Sequence, residues 1–188
     1  MIARIHDVPA AVVDAERDKL LWRHGENDYK AWLSTSRTWD QVRERSPTVA
    51  WSELVWFPQA IPRFSFIAWL AVRNRLSTGD CTQAWGEHQY CRLCGEPQEP
   101  RDHIFFGCAY TYTVWTETIG SLLPRPTPDW NITITMLLST RRTATVTCFL
   151  RLSFQAVIHS VWCERNRRKH NNGFHTAPEL IKKIDKII

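Results

Sequence analysis

Four residues within 18 positions constrain this 188-residue chain more than any other feature. They are Cys91, Cys94, His103 and Cys108, spaced Cys-x2-Cys-x8-His-x4-Cys inside YCRLCGEPQEPRDHIFFGCAY. Two cysteines separated by two residues face one ion from a single tight turn. Gly95 follows directly and supplies the positive φ that such a turn calls for. The eight-residue gap holds Gly95, Pro97 and Pro100. It therefore reads as a loop that returns His103 and Cys108 to close a tetrahedron. Three thiolates and one neutral imidazole suit one structural Zn²⁺ with no open coordination position. That cluster carries a net −1, and Arg92 and Arg101 are near enough in sequence to offset it. Ile104, Phe105 and Phe106 are expected to anchor the loop on the core. The bland alternative is three buried thiols beside an ordinary histidine, which does not require this spacing.

The other cysteines, Cys81, Cys148 and Cys163, read as unliganded, with His88 as a substitute ligand through His88-x2-Cys91. Six cysteines without a recognisable secretion signal argue for a reducing compartment, so an intracellular setting, nuclear or cytoplasmic, is expected. The opening MIARIHDVPAAVVDAERDKLL places a proline and then acids where a signal peptide needs an apolar run. No run approaches the ~18 consecutive apolar residues of a membrane span, and no membrane association is expected. Ten tryptophans point mainly to an aromatic-rich core.

The pattern predicts a mainly α fold with a short N-terminal β-hairpin, a zinc-knuckle-like loop between helices and a long C-terminal helix. Residues 1–18 read as an extension. Residues 19–123 read as a hairpin plus a helical zinc-binding module, and residues 124–128, with prolines at 124, 126 and 128, as a linker between subdomains. Residues 129–188 form the helical C-terminal part. DKLLWRHGENDYKAWLSTS carries the hairpin. TWDQVRERS is a short helix with Thr38 as N-cap. PRFSFIAWLAVRNRLS is a helix with Pro62 at its start and Phe66, Trp69, Leu70 and Leu76 near one face. STGDCTQAWG holds a further short helix stopped by Gly86. A long helix runs from Thr143 to about His170, with Val146, Phe149/Leu150, Val157/Ile158 and Val161/Trp162 at helical spacing. Asn171-Asn172-Gly173 ends it.

WFPQAIPRFSFIAWLAVRNRLSTGD, AWG, CRLCGEPQEPRDHIFFGCAYTYTVW and FQAVIHSVWCERNRRKHN together resemble the zinc-binding region of plant LINE-like (non-LTR) retrotransposon reverse transcriptases. The similarity spans roughly Leu20 to His170. The resemblance implies that Cys91, Cys94, His103 and Cys108 are the zinc ligands. Cys81 departs from the family's pattern, which has a basic residue after STGD. The enzyme itself does not come with the resemblance. The chain has no Tyr-x-Asp-Asp turn, no spaced acidic set for an endonuclease or RNase H, and no length for fingers and palm.

Of the 24 lysines and arginines, eight fall in the last 38 residues against three acids, a local excess equal to the whole net charge of +5. Arg165, Arg167, Arg168 and Lys169 cover several faces at the end of the long helix. They read either as partners of the helix dipole or as phosphate contacts without base readout. Tyr110 and Tyr112 read as stacking platforms for single-stranded bases or, more simply, as packed helix residues. Three functions fit. The first is a non-catalytic zinc module assisting RNA or single-stranded DNA binding. The second is a zinc-stabilised protein-interaction module or an inactive retroelement remnant. The third, an enzyme with an activated cysteine at Cys81 or Cys108, lacks an oriented base.

Overall fold

A computed structural model describes residues 19–44, 46–83, 85–86 and 88–188, so the expected extension 1–18 lies outside the described residues. The chain divides into two compact units, 1–47 and 48–188. In the first, β1 (Trp22–Arg23) pairs antiparallel with β2 (Tyr29–Lys30), Trp22 opposite Lys30 and Arg23 opposite Tyr29. The predicted hairpin is present. Its turn is held by the His24 N–H donating to Asp28 O at 2.7 Å, and by the His24 ring edge-on to Trp32. Helix α1 spans Thr35–Val42 and is capped by Ser34, whose hydroxyl accepts from the Arg37 N–H. The expected cap at Thr38 is thus corrected by one turn: STS offered several hydroxyls, and the earlier one took the role.

The second unit is built around one long helix. Its elements are α2 (Ser52–Val55), α3 (Pro62–Val72), α4 (Gly79–Gln83), a π-helical turn (His103–Gly107), α5 (Ala109–Ile119), α6 (Trp130–Leu137), α7 (Ala144–Lys169) and α8 (Ala177–Asp185). Helix α7 matches the predicted long helix. It is capped by Thr143 at the start, and Asn171 and Gly173 adopt left-handed φ beyond its end. Helices α3, α5, α6 and α8 pack around it. Residues 153–158 are buried without a break, so α7 is a central helix enclosed on all sides in its middle and not an amphipathic one. Phe149, expected inside, is exposed. By length and composition α7 could cross a membrane, but its middle is consumed in this core.

Helix α3 turns a different face inward than expected. Phe64, Ser65, Ala68 and Ala71 are buried, whereas Phe66 is 52% exposed. Small residues let α3 lie close against α7, and volume followed the available gap. The buried Gln155 of α7 is fully used. Its Nε2 donates to Leu54 O and Val55 O at the end of α2, and its Oε1 accepts from Ser65 Oγ. The Pro-rich segment 124–128 is not a subdomain boundary. Residues before it, such as Phe106 and Trp115, share one core cluster with Trp130, Phe154 and Ile184 after it. Tyr112 Oη donates to Pro126 O, fastening the segment to α5.

Helix α8 carries a capping box: Thr176 N–H donates to Glu179 Oε2 at 2.8 Å, reciprocated at the third helical position. That bond first, and the Thr176 hydroxyl second, hold Glu179 below its ordinary value. The signal is legible as Thr176-x-x-Glu179 before Leu180, Ile181 and Ile184.

Candidate metal centre

Cys91 and Cys94 sit in a turn closed by the Gly95 N–H donating to Cys91 O at 2.8 Å. Gly95 has φ +89°, the left-handed backbone expected of it. The loop returns to His103 at the start of the π-helical turn, and Cys108 stands at the N-cap of α5. The π geometry has a reason. In an α-helix, five residues at about 100° each leave the side chains of 103 and 108 about 140° apart. The wider i→i+5 ring, closed by Cys108 N–H to His103 O at 2.6 Å, brings them to one side. Ile104, Phe105 and Phe106 then turn into the core, each fully buried as expected.

The four ligand atoms lie within 4.8 Å of one another. Cys91 Sγ is 4.0 Å from Cys108 Sγ, and Cys94 Sγ is 3.2 Å from His103 Nε2. A tetrahedral zinc with ordinary bond lengths separates its ligands by about 3.5–3.8 Å, so this set closes on one ion with small adjustments. As bare side chains the sulfurs do not ionise alike. The Cys91 thiol donates to Cys108, and that bond, then burial, pushes Cys91 up. The same bond pulls Cys108 down, while burial pushes Cys94 up. A divalent cation lets all three be thiolates at once. Backbone N–H groups support that charge: Leu93 and Cys94 toward Cys91, Glu96 toward Cys94, and Thr111 toward Cys108. Arg92 and Arg101, expected to offset the charge, are directed elsewhere. Arg92 donates to Tyr90 Oη and lies over its ring, and Arg101 pairs with Asp102 and lies over Trp130. His88 is not among the four ligands.

The basic end of α7 supports this loop from behind. Arg165, expected to contact phosphate, is 1% exposed and forms an ion pair with the equally buried Glu99. Its guanidinium also donates to Gln89 Oε1 at 2.8 Å and Ser77 O at 3.2 Å. Glu99 Oε2 in turn accepts the Arg92 N–H inside the Cys91–Cys94 turn. Arg168 donates to Leu93 O of the same turn, to His175 O and to Glu164. Lys169 donates to Gln89 Oε1. Of the four expected phosphate contacts, Arg165 is corrected to a buried staple, because a guanidinium has enough donors to satisfy a buried carboxylate and two further acceptors at once. Arg168 and Lys169 are used internally. Arg167 faces solvent, 3.9 Å from Glu164.

Sequence reasoning missed Glu99, Gln89, Glu164 and His175. Glu99 was hidden in a polar loop, and only its distance of 66 residues from Arg165 was covered by the fold. Glu164 accepts from the His175 N–H and Nδ1, both at 2.7 Å, and from Arg168. Burial raises the Glu164 carboxyl, but these bonds outweigh it and hold the group below its ordinary value. Tyr110 is packed as its simpler reading had it. Its hydroxyl donates to His175 O, and burial, with Glu164 nearby, pushes it up to about 12. Glycine is required at 79: a Cβ there would stand 2.7 Å from Gln89 O and 2.9 Å from Glu99 Cβ, where the loop crosses α4. Cys81 lies 3.8 Å from Asn74 O.

Residues 33–115 match the family described as zinc-binding in reverse transcriptase, a span that contains all four ligands. No curated protein and no solved structure matches the chain.

Proposed function

Taking as premise that residues 33–115 carry a zinc-binding module of the reverse-transcriptase type, we propose that the protein is a non-catalytic accessory module that helps hold single-stranded RNA or DNA. We place its origin in a plant non-LTR retroelement and its setting inside the cell. The observation that carries the reading is the closed ligand set. Four protein ligands leave zinc no position for water or substrate, so the ion serves the fold and not a reaction. The partner class follows from charge. The chain is net +5, and exposed cations at its C-terminal end include Arg167, Lys182, Lys183 and Lys186. Such groups contact phosphates without reading sequence.

The test is a fluorescence titration of the zinc-loaded chain against single-stranded RNA and DNA at two salt concentrations. Binding that is nearly independent of sequence and weakens as salt rises is expected. A chain that binds neither strand overturns the reading. The protein-interaction alternative is favoured by the exposed aromatics Trp56 and Phe66, and takes first place in that event.

A further inference from the structure

A cavity of about 190 Å³ opens between α3, α7 and α8, on the face of α7 that carries Cys163 and Arg167 and not the one that carries Arg165 and Lys169. Its floor is apolar, from Phe64 and Leu180, and its rim carries Arg63, Arg167 and Lys183. These cations come from three elements, and the C-terminal charge block contains only two of them. Arg63 stands in the first turn of α3, a turn without acidic residues, where the helix dipole adds positive potential.

The one carboxylate lining the cavity, Glu164, is already committed. It is almost fully buried and accepts from Arg168 and twice from His175. Lys183 Nζ donates to His175 Nε2, which fits the tautomer whose Nδ1–H faces Glu164. That bond leaves two Lys183 protons for another acceptor. Among the described residues no carboxylate lies within ion-pair distance of Arg63 or Lys183, Glu179 one turn before Lys183 on α8 feels its charge without contacting it, and Arg167 approaches Glu164 only at 3.9 Å. Three under-used cations around an apolar floor attract an oxyanion more strongly than the same charges on an open surface, because the floor keeps water from screening them on one side.

We propose that Arg63, Arg167 and Lys183 form a seat for a backbone phosphate of single-stranded nucleic acid. The proposal rests on the nucleic-acid reading above and names where the strand is held. Planar guanidinium groups offer paired N–H donors to phosphate oxygens, and the lysine adds a point charge.

The experiment measures anisotropy of a labelled single-stranded RNA with the full zinc-loaded chain across a salt series. The pocket variant is Arg63→Gln/Lys183→Gln. A charge-matched control is Arg75→Gln/Arg141→Gln, at exposed cations outside the cavity. A conservative variant is Arg63→Lys/Lys183→Arg, and thermal melts confirm that each is folded. The pocket variant is expected to bind at least about fivefold more weakly. Its log–log salt slope should be smaller by about 1.4, two contacts at about 0.7 each. The control and conservative variants should stay near the parent. If the parent binds and the pocket variant binds equally with an unchanged slope, the seat is wrong and the nucleic-acid reading stands. If the parent binds no RNA or DNA, both fall together.

Discussion

Arg165 and Glu99 are the residues on which the metal loop's position depends. Both are almost wholly buried, and each satisfies the other while Gln89, Ser77 O, Asn166 Oδ1 and the Arg92 N–H take up further hydrogen-bonding capacity. Removing one partner of such a pair strands a buried charge, which costs about 3–5 kcal/mol. Glu99→Gln is therefore expected to lower unfolding free energy by that amount in urea titrations. Arg167→Gln, exposed on the same helix, should change it by less than about 0.5 kcal/mol. An equal small effect from both would show that the pair is dispensable. Glu164 gives a pH signature. Its folded carboxyl titrates below the ordinary 4.5, so the native state binds fewer protons than the unfolded chain in the window beneath that value. Its contribution is present at neutral pH and is lost as pH falls through the folded value. Melting temperature of the parent should fall more steeply than that of Glu164→Gln between about pH 5 and about pH 3. Parallel curves would remove Glu164 from the account.

At the scale of elements, the metal loop is held from two directions. Zinc gathers the Cys91–Cys94 turn and the π-helical turn, and the end of α7 grips the loop's backbone and Glu99. Freshly prepared, reduced protein is expected to carry about one zinc per chain, and Cys91→Ser or Cys108→Ser should lose it in metal analysis. Chelation should then raise hydrogen exchange over residues 88–108. The middle of α7, enclosed by α3, α5 and α8, should keep its protection. Because Arg165 and Arg168 couple loop to helix, the last two turns of α7 are expected to exchange faster as well. Uniform loss of protection along the whole chain would mean that zinc nucleates the entire fold.

At the scale of the molecule, every residue of the core cluster lies between Leu54 and Ile184. A chain shortened to residues 48–188 is therefore expected to keep its zinc and a cooperative melt. A shortened chain that is unfolded with zinc present would show that the first unit is needed for stability. The ligand set, the hairpin, the long helix and its Asn-Gly stop were legible in the sequence, because spacing, capping and left-handed backbone are local properties. The buried face of α3 was not, since Ala68 and Ala71 face inward only because α7 needs a close neighbour there. Nor was the role of the basic block. Four cations at a helix end look alike in sequence, and only the fold brings Glu99, Leu93 O and Gln89 to three of them while leaving Arg167 to solvent. A charge's function depends on which opposite group lies within about 4 Å, and that distance is fixed by packing between segments far apart in the chain.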